Sequence, residues 1–165
     1  MSNYAVRFDV SEELLDFPAS IGEAEWMSDN VEVGKRVSDL INFILHDEGI
    51  QGDIEVSVVF VTEGEIAELN QQYRDIVGPT DVLSFECDDP EAANSEIIIL
   101  GDIVVSPEVA YDQTELYGTT FIEEMRMLIT HGMLHLLGYD HIEDEDAEEM
   151  EARERELKEA WLNRE

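Results

Sequence analysis

Length, composition and charge place this chain among globular proteins with a strongly acidic surface. It has 165 residues, of which 44% are hydrophobic, which excludes a disordered chain and predicts a single domain over residues 1–165 that is large enough to bury a core. Nine Lys and Arg against 41 Asp and Glu give a formal net charge of −32, which repels nucleic acids and anionic membranes at long range. One cysteine, no signal-like start and no long apolar stretch predict a cytoplasmic protein.

The spacing of apolar residues predicts strands and helices that do not alternate strictly along the chain. The first predicted elements, in chain order, are a strand at 4–10, an irregular acidic stretch at 11–30, a helix at 31–48 and a strand at 54–61. The next helix starts with a capping box between Thr62 and Glu65 and carries Ile66, Leu69 and Tyr73 on one face. Strands at 81–86 and 97–105 and helices at 107–116, 120–137 and 146–162 complete the prediction. This mixture is typical of an α+β fold or of mixed α/β layers.

Residues 131–141 carry the strongest chemical pattern in the sequence. His131 and His135 are four residues apart on the predicted helix and therefore project from the same face. Gly138 suits the left-handed turn that ends a helix, and this turn can bring His141 back towards the pair. Three imidazoles with a fourth position open are typical of a catalytic zinc site.

The alternative is that these are incidental histidines of a core helix. Residues 127–137 contain no charged side chain, so most of this helix should be buried. Buried imidazoles need partners for their ring nitrogens, which a shared metal ion provides. The spacing equals that of H-E-x-x-H-x-x-G-x-x-H zinc proteases, but Gly132 stands where those enzymes carry their general-base glutamate. A standard protease of that class is therefore not expected.

The same stretch resembles the H-G-x-L-H-L-x-G-Y-D-H signature of the YbeY family of bacterial endoribonucleases. Two further blocks match the family in the expected order, one at residues 69–74 with 79–85 and one at residues 100–106. The resemblance implies zinc-dependent cleavage of single-stranded RNA in ribosomal RNA maturation and small-subunit quality control. It also implies a mixed four-stranded sheet with a central metal-binding helix. The implied partners are ribosomal RNA, the small ribosomal subunit, a ribosomal protein and an assembly GTPase.

The family match also predicts residues for the reaction. Arg74 is expected to bind the phosphate and stabilise charge in the transition state, with His131 as the second catalytic residue. Asn70 lies one helical turn before Arg74, so its amide can orient the guanidinium group. Together with Arg74 and Ser84, Asn70 is also expected to bind the substrate. The alternative for Arg74 is a surface arginine paired with one of the many carboxylates.

Other polar residues of the matching blocks leave two interpretations open. Ser84 and Asp102 either line the cleft, Ser84 at the substrate, or cap turns at strand ends. Asp140 and Asp102 are candidate hydrogen-bond acceptors for the metal-bound histidines. Glu124, a weaker candidate acceptor, is interpreted as a solvated acid. The general base is not identified, and Asp140 and a metal-bound hydroxide are the candidates.

Two alternatives to the nuclease remain. A zinc peptidase or amidase would need a carboxylate from a position other than 132, and a non-catalytic ribosome-assembly factor would use zinc only to hold its fold. The charge of −32 keeps the assembly factor open as an alternative, because RNA enzymes usually display a basic surface. A local positive patch of Lys35, Arg36, Arg74 and Arg126 is one way to reconcile the charge with RNA. The acidic last helix is interpreted as a solvated face that docks through Met150, Leu157 and Trp161.

Overall fold

The computed structural model describes residues 3–14, 30–89, 97–140 and 143–164, which form a four-stranded sheet and five α-helices. The strands are β1 (Asn3–Val10), β2 (Asp53–Phe60), β3 (Val82–Glu86) and β4 (Ile97–Val105). The helices are α1 (Asn30–Asp47), α2 (Glu63–Arg74), α3 (Pro107–Tyr117), α4 (Phe121–Leu136) and α5 (Asp144–Leu162), with a short 3₁₀ turn at Glu12–Leu14. Each predicted strand and helix is confirmed, and most of the predicted irregular stretch at 11–30 lies outside the described residues.

The sheet has the order β1-β2-β4-β3 and is mixed, which confirms the predicted α+β fold. β1, β2 and β4 run parallel to one another, while the edge strand β3 is antiparallel to β4. Side chains alternate between the two faces of each strand. On β4, Ile103 therefore faces one layer of helices and Val104 faces the other.

The main core lies between one face of the sheet and helices α1 and α4. The apolar stripe of α1 is fully buried there, and its members are Val33, Val37, Leu40, Ile41, Ile44 and Leu45. α4 adds buried residues on most of its circumference, as the uncharged stretch predicted. This burial fixes the position of the histidine-bearing helix against the sheet.

α2 packs on the opposite face of the sheet, over β3 and β4. Its first turn carries the predicted capping box, in which Thr62 and Glu65 each accept the other's backbone N–H. Ile66 is buried against Leu83 and Val104. Tyr73, predicted on the same face as Ile66, is 60% exposed, and its ring contacts Phe85 edge-on with centroids 5.2 Å apart.

α5 docks on α1 and α4 through the predicted apolar residues. Met150 and Leu157 are buried, and the ring of Trp161 meets Phe43 of α1 edge-on, with centroids 5.4 Å apart. Within the described ranges, no helix combines the length and the hydrophobicity that crossing a bilayer requires.

Candidate metal centre

The two ends of α4 and its buried apolar residues fix the position of His131 and His135 relative to the protein surface. The helix starts at a capping box between Thr120 and Glu123, and the chain leaves it through Gly138, whose φ of 103° only glycine adopts readily. Burial of the apolar side chains around them leaves His131 and His135 half-buried in the last two turns of the helix. Both rings are thus partly accessible yet fixed in position.

The two imidazoles face each other through their Nε2 atoms, which are 3.0 Å apart. The Nδ1 atom of each ring has its own partner. His131 Nδ1 lies 2.6 Å from Oε1 of Glu154, and His135 Nδ1 lies 3.1 Å from the backbone carbonyl oxygen of Tyr139. The two rings are nearly perpendicular, with an interplanar angle of 81°.

These partners determine which ring nitrogens carry hydrogen in the neutral form. A carbonyl oxygen and a carboxylate only accept hydrogen bonds, so both Nδ1 atoms act as donors. Both Nε2 atoms then present lone pairs to each other at 3.0 Å. Two lone pairs at this distance repel unless a cation, either a proton or a metal ion, lies between them.

The donor atoms fit zinc. Neutral imidazole nitrogen is a preferred zinc ligand, and two such atoms at tetrahedral positions about 2.0–2.1 Å from the ion are about 3.3 Å apart. The observed 3.0 Å between His131 and His135 is close to that separation. The predicted third ligand, His141, lies outside the described residues. Among the residues that are described, no group of three or more His, Cys, Asp or Glu side chains is arranged to hold a metal ion.

Gly132 is a packing residue at the closest approach of α4 to the sheet. A Cβ atom here would lie 2.9 Å from Cγ2 of Ile103 and 3.2 Å from Oγ of Ser84. A glutamate at position 132, as zinc proteases have, therefore does not fit without moving the helix. The hydroxyl of Ser84 donates to the carbonyl oxygen of Gly132 at 3.1 Å and so joins β3 to α4, while its predicted place at the substrate stays a prediction.

Arg74 is exposed at the C-terminal end of α2, on a different element from the histidines. The predicted contact with Asn70 is not formed. Asn70 is 2% exposed, and its Nδ2 donates to the carbonyl oxygen of Gly78 at 2.9 Å. This bond closes the loop after α2, which turns at Asp75 in the left-handed conformation. Asn70 therefore shapes the loop beside Arg74, and its predicted place at the substrate stays a prediction.

One of the two predicted acceptors for the histidines, Asp102, lies away from them. Asp102 is exposed and lines a groove with Tyr73 and Phe85, on the face of the sheet opposite to Ile103 and α4. Strand alternation therefore turns it away from the histidines. Asp140 is exposed in a small pocket with other acids, and its role as an acceptor for a metal-bound histidine stays a prediction, while His135 Nδ1 contacts the carbonyl group of Tyr139.

Glu124 is not the solvated acid that was expected. Its side chain is 1% exposed, and its Oε1 accepts a hydrogen bond from Oγ1 of Thr119 at 2.7 Å. This contact joins α4 to the turn that precedes it. The predicted role as a histidine acceptor belongs to another glutamate.

That glutamate is Glu154 of α5, which the sequence interpretation missed because α5 is acidic along its whole length. A signal was present in the spacing. Glu154 lies four residues after Met150 and three before Leu157, so it occupies the stripe that docks on the rest of the protein.

Positive charge is concentrated in one cavity of about 290 Å³ between α1, α4 and α5. Arg36, Arg126 and Arg164 line it together with apolar residues, and no acid is among the described residues that line it. The buried Nε of Arg126 has no hydrogen-bond partner within the described part of the chain. Two members of the predicted patch, Arg36 and Arg126, are thus together, while Arg74 belongs to the helix on the other face of the sheet.

Comparison with known proteins agrees with the signature. The family model described as endoribonuclease YbeY matches residues 22–161. The endoribonuclease YbeY of Staphylococcus aureus (strain Newman) is 45% identical over 125 residues, covering 73% of this chain and 81% of that protein. The Bacillus subtilis (strain 168) protein of the same name is 39% identical over 136 residues, covering 79% and 87%. The solution structure of TM1509 from Thermotoga maritima superimposes with a TM-score of 0.54 and 28% identity, covering 94% of this chain and 89% of that one. With a match over most of its length, this chain belongs to the YbeY family of endoribonucleases.

Proposed function

We propose that this chain is a zinc-dependent endoribonuclease that cleaves single-stranded RNA during ribosomal RNA maturation. The observation that carries the proposal is the convergence of the Nε2 atoms of His131 and His135 at 3.0 Å, while each Nδ1 contacts an oxygen acceptor. His141 would complete the site as third ligand. When bound, zinc supplies Lewis-acid polarisation of a phosphate oxygen and lowers the pKa of a coordinated water.

The protein's own residues position the reacting groups. Glu154 and the carbonyl group of Tyr139 keep the two imidazoles in the tautomer that exposes Nε2. Ser84 holds β3 against α4 at the level of the histidines. The half-buried setting of both rings limits the water around them, which strengthens their electrostatic interactions.

Arg74 would bind the scissile phosphate and stabilise the negative charge that develops on it. Its guanidinium is exposed, and within the described residues it forms no ion pair despite the excess of carboxylates. A planar guanidinium presents two parallel N–H donors to phosphate oxygens. An arginine without a carboxylate partner in that part of the chain remains available for this role.

The arginine cavity offers a way for an acidic protein to meet RNA. Electrostatic attraction over a short distance depends on local charge, because salt screens charges further away than about 8–10 Å. Arg36, Arg126 and Arg164 would bind backbone phosphates in this cavity, where no described acid is among the lining residues. We place this activity in the cytoplasm, within one hydrolase domain spanning residues 1–165. The associated partners would be the small ribosomal subunit, with a ribosomal protein and an assembly GTPase.

The test compares metal content and RNA cleavage in matched variants. Purified wild-type protein should contain about one zinc per chain by mass spectrometry and should cleave a labelled single-stranded RNA in a way that a chelator abolishes. His131→Ala and His135→Ala should lose both zinc and cleavage. Arg74→Ala should keep zinc and lose cleavage, by about 100-fold or more as expected for a transition-state donor.

Arg7→Ala is the control for Arg74, because Arg7 is also an exposed arginine but is paired with Glu55 across the sheet. Its cleavage rate should equal that of the wild type. Cleavage that persists in His131→Ala, His135→Ala and Arg74→Ala would refute the proposal. Chelator-sensitive hydrolysis of a peptide library, with RNA left intact, would favour a peptidase instead.

A further inference from the structure

Glu154 is the carboxylate that contacts His131, and it comes from a helix outside the histidine motif. Its Oε1 lies 2.6 Å from Nδ1 of His131, 23 residues away in sequence. The two side chains are 21% and 31% exposed, so the contact is largely shielded from water. It therefore differs from an ordinary surface ion pair, which contributes little.

The position of Glu154 is fixed by contacts on either side of it along α5. Met150 and Leu157 are buried, one turn before and one turn after it. The neighbouring residue, Arg153, donates from Nε to Glu48 at 2.6 Å and from a terminal nitrogen to Asp47 at 2.7 Å. Burial alone would lower the pKa of Arg153, but its hydrogen bonds with Asp47 and Glu48 raise it, so the guanidinium stays charged.

The adjacent residues Arg153 and Glu154 contact different helices and so have different roles. Arg153 forms ion pairs with Asp47 and Glu48 at the end of α1 and so holds α5 against that helix. Glu154 turns instead to the histidine on α4, which its carboxylate contacts directly. A carboxylate needed only to hold α5 in place would duplicate what Arg153 and the apolar stripe already do.

We propose that Glu154 is a positioning residue for the metal ligand His131. Resting on the metal site proposed above, it fixes the Nδ1–H tautomer, sets the ring angle and makes Nε2 a stronger ligand. The physical basis is general: a carboxylate that accepts from one ring nitrogen raises the electron density at the other. Losing such a partner typically weakens metal binding by about 10–100-fold. The C-terminal helix is thereby part of the metal centre.

The experiment measures zinc affinity by competition with a chromogenic chelator at constant pH. Glu154→Ala should weaken zinc binding by about 10–100-fold. Glu154→Gln, whose amide oxygen still accepts from Nδ1–H but carries no charge, should fall between Glu154→Ala and the wild type. Glu159→Ala, an exposed glutamate on the same helix, should bind zinc like the wild type. Arg153→Met, which loosens the docking of α5, should lower stability with a much smaller change in affinity.

A second readout reports the tautomer directly. In the metal-free protein, ¹⁵N–¹H correlation of the imidazole nitrogens should show hydrogen on Nδ1 of His131 in the wild type and on Nε2 in a substantial fraction of Glu154→Ala. Glu154→Met, which is similar in size but carries no oxygen acceptor for Nδ1–H, provides the same comparison if the alanine variant does not fold. A role limited to holding α5 would leave this tautomer unchanged.

The outcomes separate this inference from the proposed function. Zinc affinity within about twofold of the wild type in Glu154→Ala, together with an unchanged tautomer, would overturn the role of Glu154 alone. Undiminished zinc binding by His131→Ala and His135→Ala would overturn the metal site itself. In that case, the tautomer of His131, compared between the metal-free wild type and the metal-free Glu154→Ala protein, would still show whether Glu154 orients the ring.

Discussion

Replacing Gly132 with alanine tests the contact that sets the depth of the histidine helix. The new Cβ would lie 2.9 Å from Cγ2 of Ile103, a fully buried β-branched side chain that cannot rotate away cheaply. Overpacking of this kind costs about 1–3 kcal/mol. Shifting the helix would also strain the hydrogen bond from Ser84, worth about 1 kcal/mol, while the higher helix propensity of alanine returns about 1 kcal/mol. We expect the free energy of unfolding to fall by about 2 kcal/mol, which lowers the Tm by about 4–8 °C in a chain of this size.

The assay is urea unfolding of metal-free protein, so that metal binding does not add to the stability measured. Gly64→Ala is the matched control. Gly64 lies in the first turn of α2, where the nearest atom to a new Cβ would be Oγ1 of Thr62 at 4.0 Å, and the change should stabilise by up to about 1 kcal/mol. A Gly132→Ala protein as stable as Gly64→Ala would show that α4 does not approach Ile103 this closely. The account of why glycine replaces the protease glutamate would then fail.

Arg153→Met should reduce the free energy of unfolding by about 2 kcal/mol, because it removes charge-assisted hydrogen bonds to three carboxylates, those of Asp47, Glu48 and the more exposed Glu156; an unchanged urea midpoint would contradict this. Thr62→Ala should cost about 1 kcal/mol by removing the α2 cap, as measured in the same way. Burial would raise the pKa of Glu65, but hydrogen bonds from Thr62 hold this pKa below its ordinary value. The ionised carboxylate should therefore stabilise the fold above about pH 4.5, and this stabilisation should be lost as the pH falls further. Glu65→Gln should lack this pH dependence of stability. Alanine at Arg36 and Arg126 should reduce the slope of log affinity for single-stranded RNA against log salt by about 0.7 for each phosphate that the protein no longer binds, and an equal slope would remove the cavity from RNA binding.

The elements of this fold could be predicted from sequence because each is encoded locally. The apolar stripe of α1 repeats at helical spacing, and all its predicted members are buried. The capping box of α2 needs only Thr62 and Glu65, which are three residues apart. Boundaries shifted by one or two residues, as at α5, which starts at Asp144 rather than at residue 146. Such shifts are usual where helix ends fray.

The arrangement of polar residues could not be predicted in the same way. Alternation along β4 puts Asp102 and Ile103 on opposite faces, but the sequence does not say which face α4 covers. Asn70 and Ser84 were interpreted as substrate contacts because they lie in matching blocks. Their actual partners are backbone carbonyl groups, Gly78 for one and Gly132 for the other. Backbone partners depend on tertiary packing, which local patterns do not specify.

The high content of acidic residues made it difficult to identify from the sequence which acids have defined partners. In a chain with 41 acidic residues, an aspartate or glutamate carries little information by its type, and a solvated surface is the natural interpretation of each. Position carries the information instead. Glu154 interrupts the stripe formed by Met150, Leu157 and Trp161, and a charged side chain on a docking face must be paired when it is buried. Glu124, one residue before the buried Met125, meets the same condition and pairs with Thr119. In a strongly acidic protein, the acids that interrupt an apolar stripe are therefore the ones to test first for a structural or metal-site role.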